Sequence, residues 1–378
     1  MLSRTNTVRT FERRLQKVRS SEEMEKIMDD IQAAIDFTED SKLAAELESR
    51  LSKAYAKKSF STYDLEKAAY HMRESSKVLE NSRNDLFDIL WSINTDESLL
   101  EMVYTIYPLA KSGNPESMGR LARAYRDGKG VSKSLNNASI WMKKAADSGC
   151  EWAKPEYFGI LNAIGTEESL KEMVAYGEEE SSKGNLEVRA RLARAYRDGE
   201  GVEKDLLKAA DLMESSLDGG PSFCKREYIG ILMDTGTKES DKKAFDYARS
   251  VVKEGDSDAM MLLASMYKEG RGVEKDQKEA MELLRQASKK SDWAVVELFD
   301  TLWEFNTKEA DEEAFRLAKG LSSKGGRNAM VRLARCYRDG RGTDVDLAKA
   351  KEYMTQAVAR GLSSAKDELD DIIRRTSG

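Results

Sequence analysis

The apolar positions of the chain recur every three or four residues, which is the spacing of an amphipathic helix and not of a strand. In the stretch RLARAYRDG, Leu121, Ala122 and Tyr125 fall on one face of a helix. Gly128 closes the stretch, and glycine readily takes the left-handed conformation that ends helices. Strand signals are nearly absent, so this pattern predicts a chain built from short amphipathic helices.

The same stretch is repeated along the chain. It occupies residues 120–128, returns unchanged at 191–199, and returns at 332–340 as RLARCYRDG. Its tyrosine and the related tyrosines of weaker copies are separated by 70, 71, 71 and 70 residues: Tyr55, Tyr125, Tyr196, Tyr267 and Tyr337. Because a catalytic constellation is normally needed once, the repetition indicates a structural unit or a row of equivalent contact points.

Each period holds two helical hairpins. A second phrase, half a period away, places threonines where N-cap residues are expected, at Thr95, Thr166, Thr237 and Thr307. Further N-caps are expected after the loop of each repeated stretch, at Asp64, Ser134, Asp205, Asp276 and Asp346. A hairpin of this size cannot bury its apolar face alone, so the sequence predicts an all-α fold with about twenty helices, a right-handed α-solenoid superhelix of stacked hairpins.

Composition supports this fold and limits the function. Charged residues make up 34% of the chain, and there are only 4 prolines. The net charge of −6 argues against a nucleic-acid partner, because such proteins gain most of their affinity from neutralised phosphates. No apolar run is long enough for membrane insertion, and the charged N-terminal stretch contains no signal-peptide core. We therefore expect a cytoplasmic protein.

The three cysteines have no C-x-x-C pairing. They are Cys150, Cys224 and Cys336. Cys336 takes the place that Ala124 and Ala195 hold in the other copies of the repeated stretch. We therefore interpret it as a small residue packed between helices.

The repeated stretch and the residues that follow it resemble a known family. The pattern L-A-x-x-Y-x-x-G-x-G-V, followed by K-A-x-x-x-x-x-x-A, is similar to the Sel1-like repeat, a relative of the tetratricopeptide repeat. Its loop positions are Gly128, Gly130 and Val131; Gly199, Gly201 and Val202; Gly270, Gly272 and Val273; and Gly340, Gly342 and Thr343. The copy around Tyr55 has Lys58 and Phe60 instead of the glycines. The intervening hairpins resemble degenerate tetratricopeptide units.

The resemblance implies a non-catalytic scaffold or adaptor that binds a protein or extended peptide partner on its concave surface. As an appendage, the array could instead be an accessory repeat domain of a larger bacterial cell-envelope glycosyl or glycerophosphate transferase. There it would bind an anionic polymer or position the catalytic domain. The length of the full open reading frame separates these two alternatives.

No motif in the chain indicates catalysis, a metal or a cofactor. The single histidine, His71, lies in a helical stretch with no nucleophile or metal-ligand pattern around it. Acidic runs such as 178–180 are typical of solvated helix faces. We therefore expect no enzymatic activity, no cofactor and no metal site.

The strongest candidate for binding is a series of basic pairs on the first helix of each Sel1-like hairpin. These eight residues, here called the basic stripe, are Arg50, Lys53, Arg120, Arg123, Arg191, Arg194, Arg332 and Arg335. The copy with Leu262 and Ser265 is a gap in the stripe, and Met261 makes it less polar. One hypothesis is a groove for an extended acidic peptide or an anionic glycan polymer, because arginine binds carboxylates and phosphates in bidentate fashion.

The alternative is an ion-pair ladder inside the chain. The intervening hairpins carry acids at the same period: Asp85, Glu156, Glu227 and Glu297. If basic and acidic helices alternate, the stripe neutralises itself, and we favour this structural interpretation.

Three segments follow from the pattern. Residues 1–39 are expected to form an N-terminal capping hairpin, in which Ser20 and Glu23 have the spacing of a capping box. Residues 40–361 form the solenoid. Residues 362–378 form a C-terminal capping or truncated helix.

Overall fold

All regular elements of the described chain are helices. In the computed structural model, residues 4–253 and 255–377 are described, and within those ranges there are 21 α-helices and one short 3-10 helix at Ser363–Ala365. The all-α prediction is confirmed. The first three residues of the expected N-terminal cap and the last residue of the C-terminal segment lie outside the described part.

The chain divides into two compact units. The first comprises residues 1–191 with 200–202, of which 4 onward are described. Its consecutive helices pack against one another. They are α1 (Arg4–Lys17), α2 (Ser21–Asp36), α3 (Ser41–Tyr55), α4 (Leu65–Ser76), α5 (Ser82–Ile93), α6 (Asp96–Lys111), α7 (Pro115–Asp127), α8 (Leu135–Asp147), α9 (Ala153–Ile164) and α10 (Glu167–Ser182).

The second unit comprises residues 192–199 and 203–378, and the division falls within helix α11 (Leu186–Asp198). Its helices pack in the same sequential way. They are α12 (Leu206–Glu214), α13 (Cys224–Thr235), α14 (Lys238–Val252), α15 (Ser257–Glu269), α16 (Gln277–Ala287), α17 (Asp292–Phe305), α18 (Lys308–Ser323), α19 (Arg327–Asp339), α20 (Leu347–Ala359) and α21 (Lys366–Ser377).

Local capping chemistry fixes where the helices begin and end. Every threonine and aspartate expected to be an N-cap, and Ser134, occupies that position, with its side-chain oxygen accepting a backbone N–H of the first turn. Gly128 and Gly165 end α7 and α9 in the left-handed conformation, with φ of 72° and 70°. Asn94 and Asn306 take the same role at φ of 60° and 53°, which asparagine tolerates best after glycine.

The expected capping box at Ser20 forms only in part. Ser20 Oγ accepts the Glu23 backbone N–H at 3.2 Å, as a capping box requires. The Glu23 carboxylate, however, accepts the backbone N–H of Arg19 at 2.9 Å and not that of Ser20. In a capping box this carboxylate would accept the backbone N–H of the N-cap residue, Ser20, but here it accepts that of the residue before it.

Small and apolar side chains form the core between hairpins. Cys336 is fully buried at the position that alanine holds in the other copies, in agreement with its interpretation as a packing residue. Val8, Ile31 and Leu47 belong to one apolar cluster that joins α1 and α2 to α3. The division at residues 39 and 361 stays a prediction, as does the right-handed superhelix.

The second glycine of each Sel1-like loop presses against the preceding hairpin. A Cβ added at Gly130 would lie 2.1 Å from the Leu99 carbonyl oxygen, in the first turn of α6. The same holds in the other three repeats. An added Cβ would lie 2.1–2.4 Å from a backbone oxygen: from that of Leu170 at Gly201, of Asp241 at Gly272 and of Asp311 at Gly342. The glycine is therefore required both by its positive φ and by this contact, which the sequence alone did not predict.

Gly130→Ala should destabilise the chain more than Gly113→Ala. Both glycines have positive φ, +70° and +101°, but a Cβ at Gly113 would have nothing within 4 Å. We expect a loss of about 1 kcal/mol at Gly113 from the backbone conformation alone, and a further loss of about 1–3 kcal/mol at Gly130 from the collision. Urea unfolding followed by circular dichroism measures both. Equal losses would show that the loop does not depend on the contact with α6.

Candidate functional site: the basic stripe and its gap

Four helices position the basic stripe. Two of its residues lie on each of α3, α7, α11 and α19, where the neighbouring leucine and alanine positions are buried. The side chains are only partly exposed, between 16% and 52%. Buried apolar residues therefore fix the orientation of each helix and, with it, the direction of its basic residues.

Each residue of the stripe has an acidic partner within the chain. Among the first members of the pairs, Arg50 bonds Glu12, Arg120 bonds Asp88 at 2.8 Å, Arg191 bonds Glu187 at 2.9 Å and Arg332 bonds Asp300 at 2.6 Å. Among the second members, Lys53 bonds Asp85 at 2.8 Å, Arg123 bonds Glu156 at 3.1 Å, Arg194 bonds Glu227 at 3.0 Å and Arg335 bonds Glu368 at 2.5 Å.

Three of the acids predicted for the ladder make the expected pairs: Asp85, Glu156 and Glu227. The sequence missed five others, namely Glu12, Asp88, Glu187, Asp300 and Glu368. Glu368 lies one period after Glu297, so the same spacing could have identified it.

Some of these carboxylates receive two arginines from the preceding first helix. Glu227 is bonded by Arg194 and Arg197 of α11. Arg123 and Arg126 bond Glu156 in the same way, and Arg335 and Arg338 bond Glu368. Hydrogen bonds from Arg335 and the nearby positive charge hold the pKa of Glu368 below its ordinary value. Contacts of this kind join one first helix to the next.

Two of these arginines also stack on an aromatic ring. The guanidinium carbon of Arg123 lies 4.2 Å from the ring centroid of Trp152, and that of Arg194 lies 4.1 Å from the centroid of Phe223. In each case the ring is four residues before the glutamate, so ring and carboxylate lie on the same helical face. We call this arrangement a closed clamp: an arginine held by an aromatic ring and a carboxylate of the next hairpin.

The third repeat has the ring and the carboxylate but not the arginine. Trp293 and Glu297 stand at the clamp positions of α17, and Ser265 of α15 stands where Arg123 and Arg194 stand. Trp293 is 64% exposed. Lys268, which corresponds to Arg126, lies 3.6 Å from Glu304 instead. Among the described residues, none forms an ion pair with Glu297. We call this site the open clamp.

A cavity of about 600 Å³ lies at the open clamp. It is bordered by α13, α15 and α17, and its apolar wall includes Met261, Leu262 and Trp293. Cavities also occur at the corresponding positions of the copy around Tyr55 and of the last Sel1 repeat. One has a volume of about 710 Å³, and its lining includes Arg50, Lys53 and Asp85. The other has a volume of about 350 Å³, and its lining includes Arg332, Arg335 and Glu368. The lining at the gap therefore includes more apolar side chains than the linings at the other two sites, and a role for the gap in ligand binding stays a prediction.

His71 has a packing environment. Its Nδ1 lies 2.6 Å from a Glu48 carboxylate oxygen, and its ring stacks on Tyr55 with centroids 5.4 Å apart. Within the described ranges, no three or more His, Cys, Asp or Glu side chains are grouped so as to hold a metal. The absence of a metal, a cofactor and catalysis stays a prediction.

The cysteine thiols are buried and poorly suited to nucleophilic chemistry. Burial raises the pKa of Cys336 to about 12. Burial, with the nearby Glu116 carboxylate, raises the pKa of Cys150 to about 11. Because the thiolate is the reactive form, neither residue is an activated nucleophile.

Removing the charge of a clamp glutamate should lower the free energy of unfolding only where the clamp is closed. Glu227→Gln takes away the partner of Arg194 and Arg197, so we expect a loss of about 1–3 kcal/mol in the free energy of unfolding. Glu297→Gln is the matched control and should change it by less than about 0.5 kcal/mol. Urea titrations of the two variants make the comparison. A similar loss in both would mean that Glu297 already has a partner in the chain.

A family model described as Sel1 repeat matches the chain four times. The matched residues are 115–150, 187–221, 257–292 and 327–362, which begin about 70 residues apart. These segments contain the glycine loops of the four complete copies. The predicted period is therefore confirmed, and so is the alternation of Sel1 repeats with other hairpins.

Solved structures show the same fold. One is c5321, a protective antigen present in uropathogenic Escherichia coli strains and displaying an SLR fold; it matches with a TM-score of 0.52 and 20% identity, over 97% of this chain and 82% of that one. Another is a Sel1 repeat protein from Oxalobacter formigenes, with a TM-score of 0.53 and 20% identity, over 91% of this chain and 90% of that one.

The loop glycines, the four matched segments and the paired helices agree with one another. In the described part of the chain, no helix is both long and apolar enough to cross a membrane. Repeats of this kind are typically non-catalytic. The chain belongs to the Sel1 repeat family, with four Sel1 repeats in a tetratricopeptide-like α-solenoid.

Proposed function

We propose that this protein is a non-catalytic, cytoplasmic scaffold that binds a protein or extended peptide partner on the surface formed by its first helices. Tetratricopeptide-like repeats generally bind peptide partners, and we expect the same kind of partner for this chain. One observation supports a particular place for the partner. The gap in the basic stripe exposes Trp293 beside a cavity of about 600 Å³.

The cavity has the properties of a binding surface. Its volume lies within the range of sites that hold small ligands or side chains, about 300–1,000 Å³. Trp293 is large, apolar and exposed, and tryptophan is enriched among the residues that contribute most to protein interfaces. Met261 and Leu262 add apolar area to the lining, which also contains charged residues such as Arg226 and Glu297. Protein interfaces likewise combine apolar contact area with polar groups.

The ion pairs argue against an acidic peptide as the main ligand of the stripe. A ligand carboxylate would have to displace a carboxylate of the chain that is already held at hydrogen-bond distance, such as Glu227 between Arg194 and Arg197. Displacement leaves the chain's own acid without its partner, so the net gain in free energy is small. The gap is free of this competition, and we therefore assign partner binding to it.

Photo-crosslinking tests the proposal. A photoreactive phenylalanine analogue placed at Leu262 lies in the cavity wall, whereas the same analogue at Leu207 lies on α12, where the side chain is 71% exposed. Irradiation in the native cytoplasm should give discrete crosslinked products from position 262 that position 207 does not give. Identical products from both positions, or none from position 262, would contradict partner binding at this site.

A further inference from the structure

We propose that the open clamp binds an arginine side chain of the partner. The arginine would lie between Trp293 and Glu297, as Arg123 and Arg194 lie in the closed clamps. This inference rests on the proposed function, because it names the group that the partner supplies. Its central support is that the chain contains two filled examples of the same site.

The two closed clamps and the open clamp have an aromatic residue and a glutamate at equivalent positions of successive periods. The aromatic residues Trp152, Phe223 and Trp293 are separated by 71 and 70 residues, and the glutamates that follow them, Glu156, Glu227 and Glu297, by the same steps. In every copy the aromatic residue precedes the glutamate by four positions, a spacing that places both on one face. Trp152 and Phe223 are the N-cap residues of α9 and α13, and Trp293 lies in the first turn of α17. Only the arginine position differs, since Ser265 replaces it. The serine hydroxyl donates instead to Glu269 at 2.9 Å.

Among the residues that the structure describes, none fills the position of the missing guanidinium. Arg226 lies 3.5 Å from Glu227 and 3.8 Å from Asp258. Lys268 lies 3.6 Å from Glu304. Both cations of the cavity wall are thus oriented to other carboxylates, and Glu297 has no ion-pair partner among the described residues.

The charge of the cavity favours a cation. Its charged lining residues are three acids and two bases: Asp258, Glu269, Glu297, Arg226 and Lys268. The sum is one negative charge, and among the described residues neither Glu269 nor Glu297 forms an ion pair with these bases. An incoming cation would complete this pairing, whereas an anion would face an excess of negative charge.

Arginine fits the site better than other cations. Its planar guanidinium can stack on an indole face and at the same time donate to a carboxylate. The closed clamps show both contacts, with ring distances of 4.2 Å and 4.1 Å. Met261 and Leu262 can cover the methylene part of the side chain while the guanidinium reaches Glu297.

The experiment uses a short capped peptide, acetyl-Gly-Arg-Gly-amide, and the full chain labelled with 5-fluorotryptophan. The chain has 5 tryptophans, so the fluorine spectrum should contain one signal for each, and the Trp293→Phe variant assigns the signal of Trp293. Titration with the peptide should shift the Trp293 signal in a saturable manner. The same peptide with norleucine or glutamate in place of arginine should leave it unchanged.

Variants show which contacts bind the peptide. Calorimetric titration should give about tenfold weaker binding or more for Glu297→Gln, because a charge-assisted hydrogen bond is lost. Trp293→Ala should weaken binding about fivefold, while Trp293→Phe should retain most of it, since phenylalanine serves the closed clamp at Phe223. Glu156→Gln, at a clamp that the chain's own Arg123 fills, is the matched control and should bind the peptide normally.

The outcomes separate this inference from the proposed function. Binding of the norleucine peptide as tight as that of the arginine peptide, or an unshifted Trp293 signal, would overturn the arginine inference. If crosslinking at position 262 still captured a discrete partner, the scaffold proposal would stand without it. If the arginine peptide bound but position 262 captured no partner, the proposed function would fail instead.

Discussion

The contact between consecutive hairpins is the constraint on which this structure depends. A single hairpin is too small to bury its own apolar face, so each needs the next one to cover it. The loop glycines make this requirement visible, because Gly130, Gly201, Gly272 and Gly342 fit directly against the backbone of the preceding hairpin. A side chain at any of these positions would separate two neighbours. The stretch is therefore repeated in the sequence because each copy makes the same contact with the preceding hairpin.

The clamps use the same contact for charged groups. Once two hairpins are packed, the first helix of one lies close to the first helix of the next, and an arginine can reach a glutamate about thirty residues further along, as Arg194 reaches Glu227. An aromatic ring near the carboxylate, such as Phe223, contacts the guanidinium at the same time. Where Ser265 replaces the arginine, the packing is kept but the cation is not. The result is a site that keeps the ring and the carboxylate of a closed clamp and lacks its arginine, and we propose that a partner supplies that arginine.

Local chemistry explains how much could be predicted from the sequence. The helices, their N-caps and the left-handed glycines depend on residues a few positions apart, so the pattern identified them and their period. The partners of the basic stripe depend on contacts between hairpins, which is why Asp88 and Asp300 were missed although Glu156 and Glu227 were found. The role of Trp152 and Trp293 was missed for the same reason: their period was readable, but the contact of Trp152 with Arg123 joins two hairpins and could not be read from the sequence.

A double-mutant cycle between positions 265 and 297 tests the central claim most directly, which is that the open clamp is an arginine site. The four proteins are the native chain, Ser265→Arg, Glu297→Gln and the double variant, and urea unfolding gives the free energy of each. We predict that an arginine at position 265 stabilises the chain only when Glu297 is present, with a coupling energy of about 1–2 kcal/mol. A coupling energy of zero within about 0.3 kcal/mol would show that Glu297 does not interact with an arginine at this position, and would contradict the account.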